Sequence, residues 1–99
     1  MTAGRHRFLV AYDIRQPKRL RAVFKAMKGY GEHLQYSVFL CDLKGSEKSV
    51  MLLHLANLIH HGEDSIAIVD LGVAEDRGRL CVEFLGTHPP LPRGGAVIV

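Results

Sequence analysis

An α+β domain is predicted by the order of apolar segments along the chain. Short runs of β-branched and aromatic residues alternate with stretches whose apolar residues recur at helical spacing, and Pro, Gly and Ser punctuate the boundaries. The chain has 99 residues, which suits one domain. So small a domain buries a modest fraction of its surface, and pairing with a second copy would bury more.

Phe8 to Ile14 reads as a buried strand, too short for a helix and rich in residues that pack on a pleated surface. Asp13 interrupts its C-terminal end, where a carboxylate is costly to bury. Pro17 then suits the first position of a helix. Leu20, Val23, Phe24 and Met27 form one apolar stripe at i, i+3, i+4 and i+7, and Gly29-Tyr30-Gly31 is expected to stop the helix through a left-handed glycine cap. Leu34 to Leu43 alternates in the manner of a strand, with apolar residues in both sets. One long strand and a hairpin turning near Tyr36-Ser37 both fit. After Lys44-Gly45-Ser46, Ser46 is expected to cap a second helix from Glu47 to about His60. Leu52, Leu55, Ala56 and Ile59 would be its buried face and Gly62 its end. Ser65 to Leu71 and Leu80 to Leu85 read as further strands, separated by a polar turn over Gly72 to Gly78. Pro89 to Gly95 reads as extended chain, and Ala96 to Val99 as a short last edge strand. If the Leu34 region is a hairpin, the order is β-α-β-β-α-β, that of a ferredoxin-like sandwich with an extra C-terminal strand. The expected division is a domain over 1–86 and an extended tail over 87–99.

Lys and Arg total 13 against 10 acids, for a net charge of +3 and a pI near 9.1. This mild excess permits nucleic-acid binding without demanding it. Cys41 and Cys81 are far apart and form no CxxC pair, so zinc is not indicated. Both fall in apolar runs and read as buried free thiols, in keeping with a reducing cytoplasm. No apolar run approaches a membrane span, and Phe8 to Tyr12 is too short for a secretory core. A cytoplasmic protein with no membrane partner is the expectation.

Two features carry chemistry. Asp13, at the end of the first strand, is a candidate metal ligand and catalytic carboxylate, although it also suits a cap for the turn before the helix. Lys18, Arg21, Lys25 and Lys28 line one side of the first helix, and Arg15 and Arg19 lie near its N-terminus, where the helix dipole attracts phosphate. The same charges suit a solvated helix face. Arg77 and Arg79 extend the candidate basic surface. His54, His60 and His61 offer no metal-ligand spacing such as HExxH. Tyr12 and Phe39 could stack on bases, though their strands favour core packing.

Taken together, Tyr12-Asp13-Ile14, Pro17-Lys18-Arg19-Leu20-Arg21, Gly29-Tyr30-Gly31, Gln35-Tyr36-Ser37-Val38-Phe39, Glu63-Asp64-Ser65-Ile66 and Val82-Glu83-Phe84-Leu85-Gly86 resemble, in order and spacing, the Cas-two family of CRISPR adaptation proteins. The resemblance covers nearly the whole chain. It implies a ferredoxin-like homodimer in which the C-terminal strand of one subunit adds to the sheet of the other, working beside the CRISPR integrase in spacer acquisition. It further implies a metal-dependent endonuclease in some members, acting on RNA or DNA. On this resemblance Asp13 is the metal and catalytic aspartate, Arg19 and Arg21 contact nucleic acid, and Ser37 and Phe39 lie near the site. His33 stands where the family commonly has arginine, and an imidazole is a poorer phosphate ligand near neutral pH than guanidinium.

A lone carboxylate holds magnesium poorly. Two copies of Asp13 across a two-fold axis would share one magnesium or manganese ion. Two functional readings follow: a metal-dependent phosphodiesterase, or a non-catalytic dimeric adaptor that holds duplex DNA for the integrase. Without the resemblance, a small-ligand or regulatory ferredoxin-like domain also fits.

Overall fold

The computed structural model describes residues 4–76, 78, 81–87 and 96–98. Its elements run β1 (His6–Asp13), α1 (Pro17–Met27), β2 (Glu32–Gln35), β3 (Val38–Leu43), α2 (Gly45–Ala56), β4 (Ser65–Val73), β5 (Val82–Phe84) and β6 (Ala96–Ile98). The first four strands form one antiparallel sheet in the order β2-β3-β1-β4. The two helices cover one face of this sheet, which is the ferredoxin-like arrangement. The Leu34 region is a hairpin: Gln35 faces Val38 in the register, with Tyr36 and Ser37 as the connecting pair. Among the described residues no helix is long and apolar enough to cross a membrane.

Alternation along the strands splits the sheet into two faces. Phe8, Val10 and Tyr12 of β1 and Phe39, Cys41 and Leu43 of β3 point to the helices and meet Val23, Met27, Met51 and Leu55 in the core. Ile66 and Ile68 of β4 pack against the same cluster. The intervening residues, Leu9, Ala11 and Asp13 on β1 with Val38, Leu40, Ala67 and Val69 beside them, share the opposite face. That face is partly covered: Leu40 is fully buried, whereas Val69 is 47% exposed. Arg7 lies on it with no exposed surface and pairs bidentately with Asp42 on the neighbouring strand, through contacts of 2.8 and 3.1 Å. A buried guanidinium is tolerable there because a planar carboxylate meets its fork.

Several boundaries differ from the sequence reading. Helix α2 starts at Gly45, because the Glu47 carboxylate accepts the Lys44 N–H at 2.8 Å and closes the first turn, which leaves Ser46 inside the helix. It ends at Ala56: the chain tightens into turns (Leu58 N–H to Leu55 O, 3.0 Å), and the His60 N–H is diverted to Asp64. Its buried positions are Met51 and Leu55, and Leu58 and Ile59 in the turns beyond it are partly covered, so the stripe is rotated from the predicted one and leaves Leu52 and Ala56 exposed. Strand β4 continues through Gly72 to Val73 instead of turning at Gly72, and β6 pairs in parallel with β5 in a second, two-stranded sheet. Cys41 is buried, its thiol pKa pushed up to about 12 by desolvation and the nearby Asp42 charge, but Cys81 is exposed. Its run is broken at β5, which is only three residues long.

Gly31 has a steric role, not a left-handed one; its φ is not positive. A Cβ there would lie 2.3 Å from the Leu40 carbonyl oxygen and 2.6 Å from Cys41 Sγ. Gly45, at the start of α2, would have nothing within 4 Å. Gly31→Ala is therefore expected to destabilise the fold by about 1–3 kcal/mol, while Gly45→Ala is neutral or stabilises it by up to about 1 kcal/mol. Urea unfolding of the two variants checks the contrast.

Candidate metal and nucleic-acid site

Asp13 is the last residue of the central strand β1 and stands exposed on the open face of the sheet, opposite Ser65 of β4. Among the described residues no hydrogen bond or ion pair occupies its carboxylate. It does not cap α1: the Gln16 side chain does so, accepting the Arg19 N–H at 2.8 Å. Among the described residues no group of three or more His, Cys, Asp or Glu side chains could hold a metal ion. Among the described residues, Asp13 thus stands at this position without a second metal-ligating side chain grouped with it, too few oxygens for magnesium by itself, and it fits a metal only if another copy brings a second.

The segment that follows Asp13 is fixed by a residue to which the sequence reading gave no role. Asp64, with its side chain fully buried, accepts the Arg15 backbone N–H at 2.9 Å and the His60 backbone N–H at 2.8 Å. Its two oxygens also receive Arg19 Nε at 2.8 Å and Nη2 at 3.2 Å. The Arg19 guanidinium, followed by these backbone N–H groups, holds the Asp64 carboxyl well below the usual carboxylate range. The signal for it was the pairing of acidic Glu63-Asp64 with a basic helix start, which reads as charge complementarity only once the fold brings them together.

Arg19 is consequently engaged inside the protein. Besides Asp64 it reaches Glu63 Oε1 at 2.9 Å, and only a quarter of its side chain is exposed. Arg15, Lys18, Arg21, Lys25 and Lys28 are exposed. They form a cationic strip that begins beside Asp13 and runs along α1. Arg77 and Arg79 lie outside the described residues.

On the helix side, Phe39 is fully buried, and the rings of Tyr12 and Phe39 are 6.3 Å apart. Burial pushes the Tyr12 hydroxyl up from its ordinary pKa. Both rings are core groups that support the site from behind. Ser37 enters through its backbone, where its carbonyl accepts the Tyr12 N–H at 3.0 Å. The His33 ring lies 5.0 Å from both Phe24 and Phe39, and its Nε2 lies 2.6 Å from the Tyr36 carbonyl oxygen. Here the imidazole braces the β2–β3 turn. The other histidines have local partners: His54 Nδ1 lies 2.9 Å from the Tyr30 hydroxyl, and His61 Nε2 lies 2.9 Å from the Ala56 carbonyl oxygen.

Residues 6–78 match the family described as CRISPR associated protein Cas2. The chain belongs to the Cas2 family. It is 51% identical over 81 residues to a Rhodospirillum rubrum protein named CRISPR-associated endoribonuclease Cas2 1, covering 82% of this chain and 78% of that one. Among solved structures, Streptococcus pyogenes Cas2 is similar with a TM-score of 0.69 and 35% identity, over 81% of this chain and 99% of that one. A Thermus thermophilus protein described as hypothetical aligns with a TM-score of 0.77 and 29% identity, over 90% of this chain and all of that one.

Because the Asp64 pKa is depressed in the folded state, its contribution to stability is present above the unfolded value near ~4 and is lost as pH falls through the folded value. Asp64→Asn is expected to lower Tm at neutral pH, and the gap between the two proteins should narrow as pH drops below about 4. Thermal melts across that range check the sign.

Proposed function

We propose that this chain acts as a homodimer on nucleic acid in CRISPR adaptation, beside the CRISPR integrase, and hydrolyses phosphodiester bonds of RNA or DNA at a divalent-cation site made by two copies of Asp13. The single observation that carries the proposal is the placement of Asp13. It is an unengaged carboxylate at the end of the central strand, on a sheet face that carries Leu9, Ala11 and Val69, with the cationic strip of α1 starting beside it. Apolar area on that face favours burial against another copy, which would bring two such carboxylates toward one axis. The names of the relatives support a nuclease: the Rhodospirillum rubrum protein is called an endoribonuclease.

The chain's own groups divide the work. Arg15, Lys18, Arg21 and Lys25 attract the phosphate backbone without reading sequence. The Asp64 clamp holds the Arg15 backbone, and hence the loop after Asp13, in one position. Asp13 would hold magnesium or manganese with its symmetry mate. When bound, such an ion supplies charge neutralisation at the phosphate and makes water more acidic.

The adaptor reading draws on a different observation, the thinness of the donor set. A protein that only holds a duplex needs the cationic strip and not the carboxylate. Purified wild type and Asp13→Ala, assayed on single- and double-stranded substrates with magnesium, manganese or chelator, separate the two. Cleavage is expected to fall by more than roughly a hundredfold in the variant and in chelator, with the thermal melt unchanged. Wild-type binding without cleavage under all conditions would leave the adaptor. Under either reading, Lys18→Ala with Lys25→Ala should reduce the slope of log affinity against log salt by about 2. Binding titrations at several salt concentrations measure it.

A further inference from the structure

We infer that the groove between α1 and the β2–β3 turn is a binding site for one unpaired nucleobase, with Tyr36 as its stacking face. The groove has a volume of about 520 Å³ and is lined by Tyr12, Leu20, Arg21, Phe24, Tyr36 and Ser37. That volume lies within the range of sites that take small planar ligands. Its lining is aromatic and aliphatic, and its one charged member is cationic. Lys18 and Lys25 are exposed on the same helix. The occupant that matches is a flat, apolar-faced group attached to an anionic strand. Base stacking on aromatic rings combined with a positively charged track is the general solution for single strands.

Tyr36 itself is conformationally unusual. Its φ is 39°, and it is the one non-glycine residue among those described with a positive φ. A bulky side chain is costly in this region, and such strain persists only where the surroundings enforce it. His33 does so at 2.6 Å from the Tyr36 carbonyl oxygen, and the Ser37 carbonyl is tied to Tyr12. The strained residue is nevertheless 88% exposed beside the groove, so packing within the chain does not account for it. Glycine would serve the turn better, whereas an aromatic ring serves a ligand. A base inside a duplex is stacked on both faces, and one at a blunt end stays tied to its partner and cannot enter a one-base groove alone, so the groove favours single-stranded or splayed ends over blunt duplex.

The inference rests on the nucleic-acid reading above, and its test separates the two. The probes are a short single-stranded DNA oligonucleotide carrying one 2-aminopurine and the blunt duplex of the same sequence, both titrated in chelator to prevent cleavage. Tyr36→Ala and Tyr36→Gly should weaken single-strand binding by roughly fivefold or more and abolish the change in 2-aminopurine fluorescence, while duplex affinity stays within about twofold, less than the loss of a stacked base. Tyr36→Phe should keep wild-type behaviour. Tyr36→Gly should also raise Tm by relieving the backbone, so lost binding cannot be ascribed to misfolding. Equal losses on both probes, or no loss on either, overturn the groove while leaving the nucleic-acid reading intact. A wild-type protein that binds neither probe overturns both.

Discussion

The buried Asp64 carboxylate is the constraint on which the rest of the site depends. The loop that leaves β1 after Asp13 and the first turn of α1, contiguous in sequence, meet the distant connection between α2 and β4 here. One side chain ties all three, through the Arg15 N–H, the Arg19 guanidinium and the His60 N–H. A buried carboxylate without those donors would be strongly unfavourable. With them it is saturated, and the geometry around Asp13 follows. The same interaction explains why α1 carries two kinds of cation: Arg19 is engaged within the fold, while Lys18, Arg21, Lys25 and Lys28 remain exposed.

The second determinant is the two-sidedness of the sheet. Even-numbered residues of β1 (Phe8, Val10, Tyr12) supply the core under the helices, and the odd-numbered ones (Leu9, Ala11, Asp13) emerge on the other face. A one-residue slip would bury Asp13 and expose Tyr12. The position of the candidate catalytic carboxylate is thus set by the register that builds the core, and no separate device is needed to point it outward.

This division governs what could be read from the chain alone. The interrupted apolar run ending in Asp13 and the stripe Leu20, Val23, Phe24, Met27 were legible because each is a local pattern with one strong period. The hairpin in the Leu34 region was legible as an alternative only, since both faces of that strand are apolar; the unusual Tyr36 conformation decides it. The stripe on α2 was misassigned because Leu52, Leu53, Leu55 and Ala56 offer several apolar faces, and tertiary packing selects the one with Met51 and Leu55. Asp64 falls in a segment that carries the family resemblance, but its role as the clamp was not legible. Its importance comes from donors 45 and 49 residues away, which no local pattern reveals. For the same reason Arg19 looked like its exposed neighbours.

The central claim is that two chains share one cation through Asp13. Its most direct test is the stoichiometry and composition of manganese binding, followed by electron paramagnetic resonance on the purified protein. The account predicts one bound ion per two chains, with binding lost in Asp13→Ala while the pair of chains persists. One ion per chain, or binding that survives that substitution, would contradict it.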